Sequence, residues 1–158
     1  MMRSDFENRL CDTVDNIGWA VLSVAPRTDS DDPDEWFSYS IGLTKTFGWP
    51  ELICFGLPTE TRRHMINDAV EECRRKELTP EAGLRLSEAL KGYDILLTDG
   101  SAIPDSYFGS AEWFAKQAGI DVPISRLQLL WPDANGYFPG DNRCLEAIVR
   151  EQTPLENS

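Results

Sequence analysis

The stretch from Trp36 to Pro58, WFSYSIGLTKTFGWPELICFGLP, leaves the backbone few choices. Phe37, Tyr39 and Ile41 alternate with Trp36, Ser38 and Ser40 at a period of two, which predicts a strand with one face in a core and the other smaller and more polar. Leu52 to Leu57 predicts a second strand. Between them, Thr44 to Phe47 is long enough for one helical turn that Gly48 can close, and Pro50 forces Trp49 into an extended conformation. Trp49 and Glu51 are thereby held beside the strand ends, where α/β proteins commonly place their sites.

Before this unit, Ser4 and Glu7 have the spacing of a capping box, and Phe6, Leu10, Val14 and Ile17 recur at helical spacing up to Gly18. Trp19 to Ala25 is apolar and valine-rich, which predicts a central strand that Pro26 stops. After it, Thr59 is a suitable N-cap for a helix with Met65, Ile66, Ala69, Val70 and Cys73 on one face. Thr79-Pro80-Glu81 reads as another helix start, with Leu84, Leu86 and Leu90 as its apolar set and Gly92 as its end. Tyr93 to Thr98 predicts a strand, and Ser106 to Gln117 a helix with Tyr107, Phe108, Ala111, Phe114 and Ala115 on its apolar face. Ile124 to Trp131 predicts a strand with Leu127, Leu129 and Trp131 on one face and Gln128 and Leu130 on the other. Pro132 and Asn135-Gly136 then make a turn, Tyr137 and Phe138 a short return strand, and Asp141 the cap of a last helix with Leu145, Ile148 and Val149. Strands joined by short turns argue for a single α+β domain over residues 1–158, a mostly antiparallel sheet packed with helices, with residues 153–158 as a frayed tail.

Fifteen basic against 27 acidic residues give a net charge of -12, which repels phosphate backbones and anionic lipid. Neither nucleic-acid nor membrane binding is expected. No apolar run approaches the ~20 residues of a membrane span, and acidic residues interrupt the N-terminal segment where a signal peptide needs apolar ones, so a cytoplasmic location is expected. Cys11, Cys54, Cys73 and Cys144 stand far apart and His64 is the lone histidine, so no metal site is expected and the thiols read as buried and reduced. Asp29, Asp31 and Asp32 lack the glycine and the distal glutamate of a calcium loop. Neither a phosphate-binding glycine loop nor a G-x-S-x-G elbow is present, and a triad would have to use His64, which sits among charged residues. No cofactor is expected.

What remains is a set of polar and aromatic residues in apolar context: Tyr39, Thr44, Trp49, Glu51, Gln128, Trp131 and Asp133. They either cap local backbone or line one pocket with aromatic walls. If the strands before Trp49 and Trp131 end at the same sheet edge, Trp49, Glu51, Trp131 and Asp133 converge on one concave patch, and burial beside an indole raises the pKa of each carboxyl. Asp29, Asp31, Asp32, Asp34 and Glu35 form an exposed acidic loop suited to steering a basic partner.

Tyr39 to Pro58 and LQLLWPDANGYFPG, from Leu127 to Gly140, resemble the bacterial family known as domain of unknown function 4262; DNIGWAVLSV, from Asp15, and AEWF, from Ala111, fit more loosely. The matching positions are Tyr39, Gly42, Leu43, Pro50, Glu51, Gln128, Trp131, Pro132, Asp133 and Gly136. Trp49 stands where members usually carry histidine, so no role of that histidine transfers. The family's activity is unassigned, and the resemblance implies a fold and a candidate surface. The expected function is that of a non-catalytic acidic protein binding a protein partner of basic character, of the immunity-protein or inhibitor type. The alternative is a small-ligand or enzymatic pocket near Trp49, Glu51, Gln128 and Asp133.

Overall fold

The computed structural model describes residues 4–24 and 36–153, so the acidic run Asp29 to Glu35 and the tail past Thr153 lie outside the described residues. Helix α1 (Asp5–Ile17) starts at the Ser4/Glu7 capping box and ends at Gly18, which takes a left-handed φ of 111°. Strands β1 (Ala20–Val24) and β2 (Phe37–Ile41) follow, then the single turn and a half of α2 (Leu43–Phe47), strand β3 (Glu51–Phe55) and the long helix α3 (Thr59–Arg75). A hairpin of β4 (Arg85–Leu90) and β5 (Tyr93–Asp99) leads through a 3-10 turn, Asp105–Phe108, into α4 (Gly109–Gln117). Strand β6 (Arg126–Leu130) and helix α5 (Glu146–Glu151) complete the fold.

The six strands form one sheet in the order β1-β2-β3-β6-β5-β4. Every neighbouring pair is antiparallel except β3 with β6. This is the α+β architecture expected, with the helices covering both faces. On one face Leu52, Cys54, Leu127, Leu129 and Trp131 pack with Met65, Ile66, Ala69, Val70 and Cys73 of α3. On the other, Tyr39, Ile41, Ile53 and Phe55 pack with Leu10, Cys11 and Val14 of α1 and Ala111, Phe114 and Ala115 of α4.

The period of two in β2 survives, but its polar face is as buried as its apolar one. Ser38 and Ser40 are fully enclosed under α3. Small hydroxyls fit there because other buried polar groups approach from above: the Arg62 Nε donates to Ser38 Oγ at 2.9 Å, and Ser40 Oγ donates to a Glu51 carboxylate oxygen at 2.7 Å. Gly42 shows how tightly this unit meets α1. It has φ +97°, and a Cβ built there lies 2.7 Å from a Val14 methyl, so a side chain is excluded by both strain and contact.

Several expected elements differ. Residues 79–92 were expected as a helix, but they contain β4. A register shift between Leu86 and Leu90 buries Leu86 and Ala89 together, and this three-residue spacing imitates a helix. The return strand at Tyr137 and Phe138 is absent; a turn held by Asp133 occupies its place. The last helix is not capped by Asp141, whose carboxylate accepts from the Arg143 backbone at 2.9 Å, and begins after Leu145. Thr59 is the first helical residue of α3, with Pro58 at the N-cap. Val-rich β1 is not central: it lies at the edge of the sheet.

Candidate functional site

At the start of β3, Glu51 is buried to 2% exposure and faces the opening of α2. Its carboxylate accepts from Ser40 Oγ, from Leu43 N at 3.2 Å and from Thr44 N at 3.1 Å. Burial pushes its pKa up to about 7, against the pull of these donors. The Thr44 hydroxyl donates to the Trp49 carbonyl at 2.8 Å and closes the turn that Gly48 ends. Trp49 stacks on Phe47 at 4.4 Å between ring centroids, Phe47 meets Trp19, and Arg74 lies over both Trp19 and Phe47. Trp49 is thus a half-buried wall of the α3-side core.

The second motif is also internally satisfied. Trp131 Nε1 donates to the Phe55 carbonyl at 2.8 Å, and the Trp131 backbone exchanges bonds with the Gln152 amide. Gln128 donates to the Gln152 carbonyl at 2.6 Å, so it anchors the end of α5. Asp133 accepts from Asn135 N, Tyr137 N and Leu145 N. Burial acts to raise its pKa, but the three donors outweigh it and hold the carboxyl below the usual carboxylate range. Tyr39 Oη accepts from Ser110 N at 3.1 Å, tying β2 to α4, and burial raises its pKa.

The two motifs do not converge. Strands β3 and β6 are parallel with Glu51 opposite Arg126, so Trp49 precedes the start of β3 while Trp131 follows the end of β6. Five residues of β6 separate these levels, roughly 16 Å along the sheet. Trp49 with Glu51 and Trp131 with Asp133 occupy opposite ends. The expected rise in pKa holds for Glu51, through burial, and is reversed for Asp133.

Sequence reasoning missed a groove beside β1. It has a volume of about 690 Å³ and runs along that edge between α1 and α3. Phe6, Leu10, Thr13 and Ile17 form one wall, and Arg63, Asn67 and Glu71 the other. The helical stripe expected to be core is divided: Leu10 and Val14 are buried, whereas Phe6 is 42% and Ile17 60% exposed. The α1 periodicity was a signal for this surface, but sheet order is not written in a local pattern.

Two buried charges on α3 were also missed. Arg62, fully enclosed, reaches Ser38, the carbonyls of Gly56 and Leu57, and Thr59. Glu72 accepts from Ser87 N at 3.3 Å and Glu88 N at 2.9 Å of β4, and pairs with Lys76 at 2.7 Å. Their positions three residues before Met65 and Arg75 put both on the side of α3 that faces the sheet, which was the available sequence signal.

His64 is exposed, with Nε2 3.9 Å from Glu60. The four cysteines are free and buried, and burial pushes the Cys54 thiol up to about 12 and Cys73 to about 11. Among the described residues no cluster of three or more His, Cys, Asp or Glu is placed to hold a metal ion, and no helix is long and apolar enough to cross a membrane. No curated protein and no solved structure matches the chain. A family model matches residues 13–145, spanning β1 through β6 and the Asp133 turn, and the chain therefore belongs to the family described as Domain of unknown function (DUF4262).

Proposed function

We propose that the protein is a non-catalytic binding domain that docks a protein partner on the α1, β1 and α3 face, in the manner of an inhibitor or immunity protein acting in the cytoplasm. The observation that carries this reading is the placement of β1: a strand with the composition of a sheet interior lies at an edge beside an open groove with two exposed apolar side chains, Phe6 and Ile17. The buried free thiols agree with a reducing compartment. The alternative pocket of Trp49, Glu51, Gln128 and Asp133 loses support, because these groups lie at opposite sheet ends and their polar atoms are engaged within the fold.

Replacing both Phe6 and Ile17 by aspartate is expected to abolish capture of the partner from the source cell, with the melting temperature shifted by no more than a few degrees because both side chains are exposed. Equal capture by wild type and variant would overturn the assignment of this face. Asp29, Asp31, Asp32, Asp34 and Glu35 lie outside the described residues, and we assign them to steering a basic partner. Converting them to amides should slow association at low salt by about tenfold and leave dissociation nearly unchanged in stopped-flow measurements. An unchanged association rate would leave them as solubilising residues.

A further inference from the structure

We propose that the partner contributes an extended, cationic segment that adds to the sheet as another strand along β1, a mode that rests on the binding function argued above. The two edges of the sheet differ in a way that bears on this. At β4 the outer side is closed: Glu72 takes the Ser87 and Glu88 N–H groups, the strand is interrupted by a register shift, and Arg75 and Lys76 pair with Glu88. Such devices keep an edge from pairing with another chain. At β1 none of them is present. Its five residues, Ala-Val-Leu-Ser-Val, carry no charge and no proline, and they run in unbroken register with β2 from Ala20↔Ile41 to Val24↔Phe37. An antiparallel neighbour engages only alternate backbone groups of a strand, so the remaining N–H and C=O groups of β1 point into the groove.

The walls specify the side chains of the added strand. Ala20, Leu22 and Val24 pack on the α1 side of the sheet, and Trp19 and Val21 on the α3 side. A strand continuing this pleat places every second side chain against Phe6, Leu10 and Ile17, and the intervening ones against Arg63, Asn67 and Glu71. The segment is therefore apolar and polar by turns over about five residues, the length of β1. Its charge follows from the flanking helix, where Asp5, Glu7, Asp12 and Asp15 face a single Arg9, and from the chain's total of -12. The same charge opposes a second copy of this chain in the groove, and favours a segment rich in lysine or arginine.

Selection of random twelve-residue peptides displayed against the full chain tests this. Selected peptides are expected to alternate apolar and polar residues, to carry net positive charge, and to lose at least tenfold in affinity for the Phe6→Asp, Ile17→Asp variant. Backbone N-methylation scanned along one resynthesised peptide should then cost tenfold or more at every second position and little between, a readout that needs no protein variant. Losses without that period would overturn strand addition while leaving the docking face intact. Peptides that bind wild type and variant alike, or a selection yielding no binder, would count against the face itself. Acidic selected peptides would overturn the proposed charge. A dimer that dissociates as peptide binds, or tighter binding after residues 25–35 are replaced by a glycine-serine linker, would make a second copy or that segment the occupant and overturn the proposal.

Discussion

Replacing Arg62 by alanine is expected to lower stability by about 4 kcal/mol in urea denaturation, a large part of the 5–15 kcal/mol typical of a domain. The reason is local. Gly56 and Leu57 both have positive φ, 76° and 63°, and their carbonyls are engaged by Arg62 Nη1. Nε and Nη2 hold Ser38 and Thr59 in the same way, so one side chain ties β2, the turn after β3 and the start of α3. Alanine leaves two inward carbonyls unpaired and opens a cavity beneath the helix. Methionine fills most of that volume and removes the cost of burying a charge, so Arg62→Met is expected to lose about 2 kcal/mol. An alanine loss below about 1 kcal/mol would show that water can replace the guanidinium.

The stability of the wild-type protein is expected to fall against that of Glu51→Gln as pH rises from 4.5 to 8, by about 3 kcal/mol. Burial raises the folded pKa from 4.5 to about 7, so the folded state holds the proton more tightly than the unfolded chain. The resulting contribution is complete below the unfolded value and is lost as pH climbs through the folded one. Glutamine does not titrate, but its amide nitrogen must face one of the Leu43 and Thr44 N–H donors, a cost of about 1–2 kcal/mol at every pH. The two curves should therefore cross between pH 5 and 8. Parallel curves in urea titrations at several pH values would mean that ionisation at Glu51 is not linked to folding.

Local chemistry made the β2-α2-β3 unit legible: a period of two, a helical turn closed by Gly48, and a proline before the next strand are each encoded within a few residues. The β4 segment misled because a bulge changed the spacing of its buried residues. The failure at the candidate site has a different origin. Whether Trp49 and Trp131 meet depends on β6 lying parallel to β3, and that pairing is reached only after the β4-β5 hairpin and α4 have been inserted between them. The short connections visible in sequence suggested antiparallel neighbours throughout. Polar residues in apolar strands were correctly singled out as constrained, yet the constraint was the fold's own hydrogen bonding. Glu51 opens a helix, Gln128 fixes α5 and Asp133 shapes a turn. Conversely, β1 looked like an interior strand, and its edge position makes that composition informative about binding.

Amide hydrogen exchange of the full chain, with and without a saturating concentration of a selected cationic peptide, tests the assignment of the β1 edge most directly. The predicted result is slowed exchange within Ala20–Val24, confined to the amides that do not already bond β2, with the Trp131 to Gly136 turn and the Thr44 to Glu51 connection unchanged. Protection at that turn or that connection, with β1 exchanging as in the free protein, would contradict it.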